Sequence, residues 1–333
     1  MLPKIDLHCH MDGSVPLETL RALAAEAGLD VPEDDMTFQS LITASDQCHD
    51  LTEYLSCFRI PLACLNTAKG LKRAAYDTVQ AIARDNVIYT ELRFAPLSHV
   101  SENLTCRDVV ESVLEGMKKA EQDTGILTGL IVCGMRHEPA EKNIGMLQTA
   151  REYMGSGLLA ADIAGGEAAF PTMVQKEFFR EARRLEMPFT IHAGECGSVK
   201  NVLDAIEFGA SRIGHGIALA QSAEAMAYCR TKQITLEMCP VSNIQTKASS
   251  SWNTYPFQTF FQNGLKITVN TDNRTVSHTS MKREMKELKE HCAMTKEQEE
   301  RILMNSIHGA FAEDAVKEIL YRKVKSAING HAC

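Results

Sequence analysis

Eight short β-type runs punctuate this chain, and most of the intervals between them carry the spacing of amphipathic helices. The runs cover residues 4–8 (KIDLH), 87–94 (VIYTELRF), 126–134 (ILTGLIVCG), 158–164 (LLAADIA), 188–192 (PFTIH), 212–217 (RIGHGI), 234–238 (ITLEM) and 266–271 (KITVNT). Branched and apolar residues bounded by turn formers read as strands. The intervals LETLRALAAEAG, GLKRAAYDTVQAIARDN, CRDVVESVLEGMKKAEQDTG, VQKEFFREARRLEM, SVKNVLDAIEFGA and SAEAMAYCRTKQ have helical period, and several end in Gly or Asn, which adopt the left-handed conformation that closes a helix. Strands joined by helical crossovers pair in parallel, and eight such units close a (β/α)8 TIM barrel. A doubly wound open sheet is the alternative; eight repeats favour the barrel.

At 333 residues the chain exceeds a bare barrel of about 250, and the excess lies in two places. The first crossover, residues 13–86, is too long for one helix and reads as a helical insertion over the barrel mouth. Within it DLTEYLSCF sets Leu51, Tyr54, Leu55 and Phe58 at i, i+3, i+4 and i+7, one apolar helix face whose simplest use is packing. Residues 281–324 form a mostly helical tail. No linker or repeat divides the chain, so residues 1–333 are expected to be one domain. The net charge of −8, with no clustered basic run, argues against a nucleic-acid partner. No run of about 18 apolar residues suggests a membrane span. The 11 cysteines include no Cys-x-x-Cys pair, which points to a reducing cytoplasm rather than a disulfide framework.

In such a barrel the chemistry lies where strands end, because the loops after them converge on one face. The first run ends in His8 and His10, within IDLHCHMDGS, and alternate residues of a strand share a face, so the two imidazoles lie roughly 6–7 Å apart along it. The fifth run ends in His192, with Glu195 just beyond it (TIHAGE), the sixth carries His215 near its end (IGHG), and Asp272 follows the eighth (VNTD). Singly, each histidine could be hydrogen-bonded core and Asp272 a helix cap. Jointly, neutral imidazoles with one carboxylate make a zinc site that leaves a position for water. The fourth run ends DIAGGE, without the lysine that commonly bridges two metals, so a single ion is expected. Such an ion brings the pKa of water from 15.7 towards ~7. Glu195 can reach the cavity without ligating and pass a proton, while His215 could take the water's proton or hold the hydroxide. This describes hydrolytic attack on an sp2 carbon.

HCHMDG, YTELRFAP, DIAGGE, TIHAGE, IGHG, EMCPVSN and NTDN, in this order across residues 4–312, resemble the adenosine deaminases of the metal-dependent amidohydrolase superfamily. The resemblance implies that His8, His10, His192 and Asp272 hold one catalytic zinc, and that Glu195 protonates purine N1. It implies that His215 orients the water and helps deprotonate it with Asp272, that Asp12 bonds the ribose 5'-hydroxyl, and that the backbone of Gly165 faces N3. Leu51, Tyr54, Leu55 and Phe58 match the family's lid helix. The implied reaction converts adenosine, and deoxyadenosine, to inosine and ammonia in purine salvage, with a small nucleoside and no obligate protein as partner. Two positions depart from the common pattern: Asn273 stands where many members have Asp, and Gly166 likewise. An amide at 273 can still donate to purine N7, whereas Gly166 leaves open a related substrate such as methylthioadenosine or aminodeoxyfutalosine. The other zinc deaminase pattern, His-x-Glu with Pro-Cys-x-x-Cys, is absent.

Overall fold

The computed structural model describes residues 2–45 and 47–330. Eight parallel strands occur in the expected places: β1 Lys4–His10, β2 Val87–Phe94, β3 Leu127–Met135, β4 Leu158–Ala164, β5 Thr190–Ala193, β6 Arg212–His215, β7 Thr235–Met238 and β8 Lys266–Val269. Regular ladders join β1 through β4 and β5 through β8. Two narrower seams close the ring: Ala161 bridges Phe189 between β4 and β5, and Cys9 bridges Asp272 between β1 and the end of β8. At the second seam His10 N–H donates to Asp272 O at 2.6 Å, and Asp272 N–H donates to His8 O at 2.8 Å.

Strands β6 and β8 end earlier than the runs suggest. His215 and Asp272 turn to φ +64° and +58°, a left-handed conformation uncommon for non-glycine residues. That turn takes Gly216–Ile217 out of β6. Asn270–Thr271 have already left the β8 ladder before Asp272 turns.

Helices wrap the ring: α1 Leu17–Glu26, α2 Asp35–Ile42, α3 Leu51–Ser56, α4 Arg59–Cys64, α5 Ala68–Arg84, α6 Cys106–Thr124, α7 Ala140–Ala150, α8 Lys176–Arg184, α9 Val199–Phe208, α10 Ala223–Thr231, α11 Pro240–Gln245, α12 Phe257–Gln262, α13 Met281–Cys292, α14 Lys296–Gly309 and α15 Asp314–Gly330. Leu71, Ala75 and Val79 of α5 join Val109, Val113 and Met117 of α6 in the main core. So α5 is the ordinary crossover helix, and the added segment is α1–α4. Gly116 lets α5 and α6 approach, since a Cβ there would lie 2.2 Å from Lys72 O. In the tail, Leu303, Ile307, Leu320 and Val324 cover Ile5, Leu7 and Tyr89. No described helix is long and apolar enough to cross a membrane.

The barrel interior carries charge. Strand pleating sends Asp6, His8 and His10 of β1 to one side, and Glu91, Arg93, Asp162, Arg212 and Glu237 are all buried. Arg93 donates to Asp162 Oδ2 at 2.7 Å, to Glu237 Oε2 at 3.0 Å and to Leu7 O at 2.5 Å. Arg212 pairs with Glu237 Oε1 and with Glu91 Oε2, each at 2.5 Å. Buried ions are tolerated only when each is paired and hydrogen-bonded, and here the chain of ions meets that condition. Gly214 of β6 completes the layer, because a Cβ there would lie 3.0 Å from His8 Cε1 and 3.2 Å from His192 Cα.

Candidate active site

Five side chains from four strand ends meet at the mouth of the barrel. Ligand-capable atoms of His8, His192, His215 and Asp272 all lie within 4.8 Å of one another. His10 joins them, with its Nε2 3.1 Å from His192 Nε2 and 3.5 Å from Asp272 Oδ1. His8 Nε2 lies 3.4 Å from the same Asp272 oxygen. Tetrahedral bonds of about 2.0–2.1 Å place neighbouring donor atoms roughly 3.3 Å apart, so these separations fit a shared small cation. His8 Nε2 is moreover fully buried with no hydrogen-bond partner. A bare lone pair among other lone pairs and a carboxylate calls for a positive charge.

The hydrogen bonds sort the five groups. His8 Nδ1 lies 2.8 Å from Glu237 Oε2, and Arg93 and Arg212 hold that carboxyl well below its ordinary pKa despite burial. His8 Nδ1 therefore carries the proton, and Nε2 is left bare. His192 Nδ1 lies 2.9 Å from Asp162 Oδ2, with its N–H directed off the oxygen's axis. That carboxyl too is held low, its burial outweighed by His192 and Arg93. His215 is the reverse case. Asn243 Oδ1 is anchored by Cys239 N–H and Tyr255 Oη, each at 3.3 Å. The amide NH2 then faces His215 Nδ1 at 2.9 Å, so Nδ1 accepts and Nε2 bears the hydrogen. Burial also keeps His215 well below its ordinary pKa. An Nε2–H cannot ligate or take up a proton; it can hold an oxygen. Of the two roles open to His215 from sequence, its surroundings favour orientation.

Asp272 Oδ2 accepts from Ser242 Oγ at 2.6 Å, which leaves Oδ1 turned towards the imidazoles. Contact with His8, His215 and His10 overrides its burial and keeps its pKa well below the carboxylate range. Glu195 is the opposite: burial, then the charges of Asp272 and Glu167, push its carboxyl well above the ordinary value. Its Oε2 stands 3.7 Å from His215 Nε2. The two carboxyls are thus pushed in opposite directions, Asp272 down and Glu195 up, the condition for dividing base and acid roles.

Sequence reasoning left out the groups that hold these positions. Glu167 accepts from the N–H groups of Gly194 at 2.7 Å and of Glu195 and Cys196 at 2.9 Å each, and from Asn201 Nδ2 at 2.9 Å. Its carboxylate pins the loop that carries Glu195. Glu284, on α13, accepts from Val241 N–H at 3.0 Å and Thr279 Oγ1 at 2.6 Å, bracing the turn that bears Ser242 and Asn243. Burial pushes the Glu284 carboxyl up from 4.5 to about 8. The folded form keeps this proton while the unfolded form releases it above 4.5, so the contribution is complete at low pH and lost as pH rises towards 8. At about 1.4 kcal/mol per pKa unit, Glu284→Gln should remove several kcal/mol from the fall in stability between acid and alkaline pH. Urea midpoints of both proteins, taken on either side of that window, check this.

A cleft of about 250 Å³ rises above the site. Leu51, Tyr54, Leu55 and Phe58 all line it, as do Asp12, Gly165 and Asn273. The helix over 51–58 is broken: α3 stops at Ser56, and Phe58 precedes α4. Pro61 accounts for the break, because its ring would clash with the carbonyl of residue 57 in a continuous helix. Tyr54 is buried with its hydroxyl 2.7 Å from Ser277 Oγ. Asp12 Oδ1 and Asn273 Oδ1 are buried with no partner, which leaves polar capacity for a ligand. Asp12 Oδ2 stands 3.5 Å from His99 Nε2. Asp12, Glu195 and Asp272 supply carboxylates to the lining, and neither Lys nor Arg is part of it.

Comparison with known proteins agrees with this geometry. A relative from Enterococcus faecalis named adenosine deaminase is 40% identical over 326 residues, covering 98% of this chain and 97% of its own. Among solved structures, the adenine deaminase of Arthrobacter aurescens superposes with a TM-score of 0.91 at 22% identity, covering 99% of this chain and 100% of its own. That likeness shows the barrel fold. Arabidopsis ADAL, solved in complex with IMP, superposes at 0.87 with 25% identity, covering 99% and 98%. Residues 3–327 match the family described as adenosine deaminase, and on that breadth of agreement the chain belongs to the adenosine deaminase family.

Proposed function

We propose that this protein is a zinc-dependent enzyme that hydrolyses the 6-amino group of adenosine, and of 2'-deoxyadenosine, to give inosine and ammonia. The observation that carries the reading is the convergence of His8, His10, His192 and Asp272 at one point, with the buried Glu195 carboxyl 3.7 Å from His215 Nε2. His8, His10 and His192, through Nε2, and Asp272, through Oδ1, would hold the ion. When bound, one zinc supplies water acidified to a pKa of about 7 as the nucleophile. The protein's own groups do the rest. Glu195 gives its proton to N1, the ring nitrogen next to C6, which draws electrons from C6 and opens it to attack. His215 Nε2–H holds the incoming oxygen, and Asp272, kept ionised, is the base at hand. One proton of the water leaves on the amine as C6–N breaks and ammonia departs; the other passes from the new C6 oxygen back to Glu195 as the carbonyl forms, and the proton given to N1 stays on inosine. Asp12 would take the ribose 5'-hydroxyl, the Gly165 backbone would face N3, and the Asn273 amide would meet N7. Leu51, Tyr54, Leu55 and Phe58 would cover the nucleoside and exclude water.

The charges of the cleft support a neutral nucleoside over a nucleotide. With Asp12 at the ribose end and no Lys or Arg among the lining residues, a 5'-phosphate would meet a carboxylate and no bidentate partner. The expected result is zinc-dependent conversion of adenosine, followed by the absorbance difference between adenosine and inosine, and little turnover of AMP. Conversion of methylthioadenosine or AMP with adenosine untouched would replace this reading by another. With it go a single 1–333 domain, one zinc per chain, cytoplasmic residence and no requirement for a protein partner. The ten described cysteines are all free, which suits a reducing compartment.

A further inference from the structure

We propose that Gly166 opens a subsite at C2 of the purine, so that the enzyme accepts adenosines carrying a small neutral group at that carbon. The inference rests on the deaminase reading above. Gly166 lines the cleft, and a Cβ built on it meets no atom within 4 Å. Its backbone is outside the left-handed region, unlike that of Gly165, whose φ is +103°. Neither conformation nor packing therefore requires glycine at 166; the missing side chain affects only the space in the cleft.

The order of groups along the wall says which part of the substrate meets that space. Glu195 is tied through its N–H to Glu167, and Gly166 directly precedes Glu167. A Cβ on Gly165 would come within 3.7 Å of Arg136 N and 3.9 Å of His137 Nδ1, and His137 is exposed at the mouth. Along the chain the wall thus runs from Glu167, which braces the loop of Glu195, through Gly166 to Gly165. Attack at C6 with N1 on Glu195 sets the ring order C6, N1, C2, N3 along the same path, so C2 falls beside Gly166. The bordering side chains Ala164 and Met135 are apolar, and the half-exposed Phe170 is joined to Gly166 O through its N–H at 3.0 Å. Such a space suits chlorine or fluorine better than a charged group.

The test compares kcat/KM for 2-chloroadenosine and adenosine in the zinc-loaded wild type, Gly166→Ala and Gly166→Val. The effect of chlorine on C6 reactivity is the same in each enzyme, so the change in the 2-chloro to adenosine ratio reads only the pocket. Wild type should turn over 2-chloroadenosine, and the ratio should fall in steps, by at least about tenfold at valine, as steric exclusion does in other pockets. A wild type that accepts adenosine and rejects 2-chloroadenosine, or variants that lower both substrates in parallel, would overturn the inference. The alanine variant adds one methyl where there is room, so it gives the ratio even where valine prevents folding. Failure of the wild type on adenosine itself would instead count against the deaminase reading.

Discussion

Glu195→Gln is expected to keep a full equivalent of zinc and to lose about 10²–10⁴-fold in adenosine turnover, the range lost with a general acid. The two halves of this result have separate causes. Glu195 faces His215 at 3.7 Å and is not among the groups that converge on the metal point, so an isosteric amide leaves the ligands in place. The amide cannot deliver a proton to N1, and an unprotonated purine does not accept a nucleophile at C6. The wild-type pH profile carries the same signature. Burial and the nearby charges of Asp272 and Glu167 raise the Glu195 pKa, so the active protonated form persists above the ordinary carboxylate range and kcat/KM falls as pH rises through the raised value. Near-normal turnover by the glutamine variant would remove Glu195 from the acid role.

His192→Ala should lose the metal itself, and with it all turnover above background. The imidazole is oriented by the ionised Asp162, which is also paired with Arg93. Its removal takes away one of four donors and leaves Asp162 short of a partner in a buried site. Loss of a ligand should weaken zinc binding far more than the 10–100-fold typical of altering a group that only orients one. Metal analysis after dialysis measures it directly. A retained equivalent of zinc would show that another side chain closes the site.

His8, His10, His192, His215 and Asp272 were legible in the sequence because a barrel puts chemistry at strand ends, and each sits at or just past the end of a run with no structural need for its polarity. The groups behind them were not. Glu237, Arg93 and Asp162 lie inside strand-like runs, where a charge reads as an interruption of the apolar pattern; only the closed ring shows that they neutralise one another. Helix α7 escaped for a similar reason. Its buried face is Asn143, Met146, Leu147 and Ala150, and Asn143 breaks the apolar stripe because its amide binds the backbone of Met135 at 3.1 and 2.9 Å. The role of Glu167 depends on loop residues that follow a different strand, and the tautomer of His215 depends on Asn243 and Tyr255. Neither relation leaves a periodic trace in the chain.

The central claim is that His8, His10, His192 and Asp272 hold one ion while His215 stands off it with a hydrogen on Nε2. Anomalous diffraction at the zinc absorption edge from crystals of the zinc-loaded protein tests it most directly. The expected map has one peak, about 2.0–2.2 Å from those three Nε2 atoms and from Asp272 Oδ1, with His215 Nε2 turned towards a water beside it. A peak bonded to His215 in place of His10, two peaks, or none at full zinc occupancy of the solution would contradict the account.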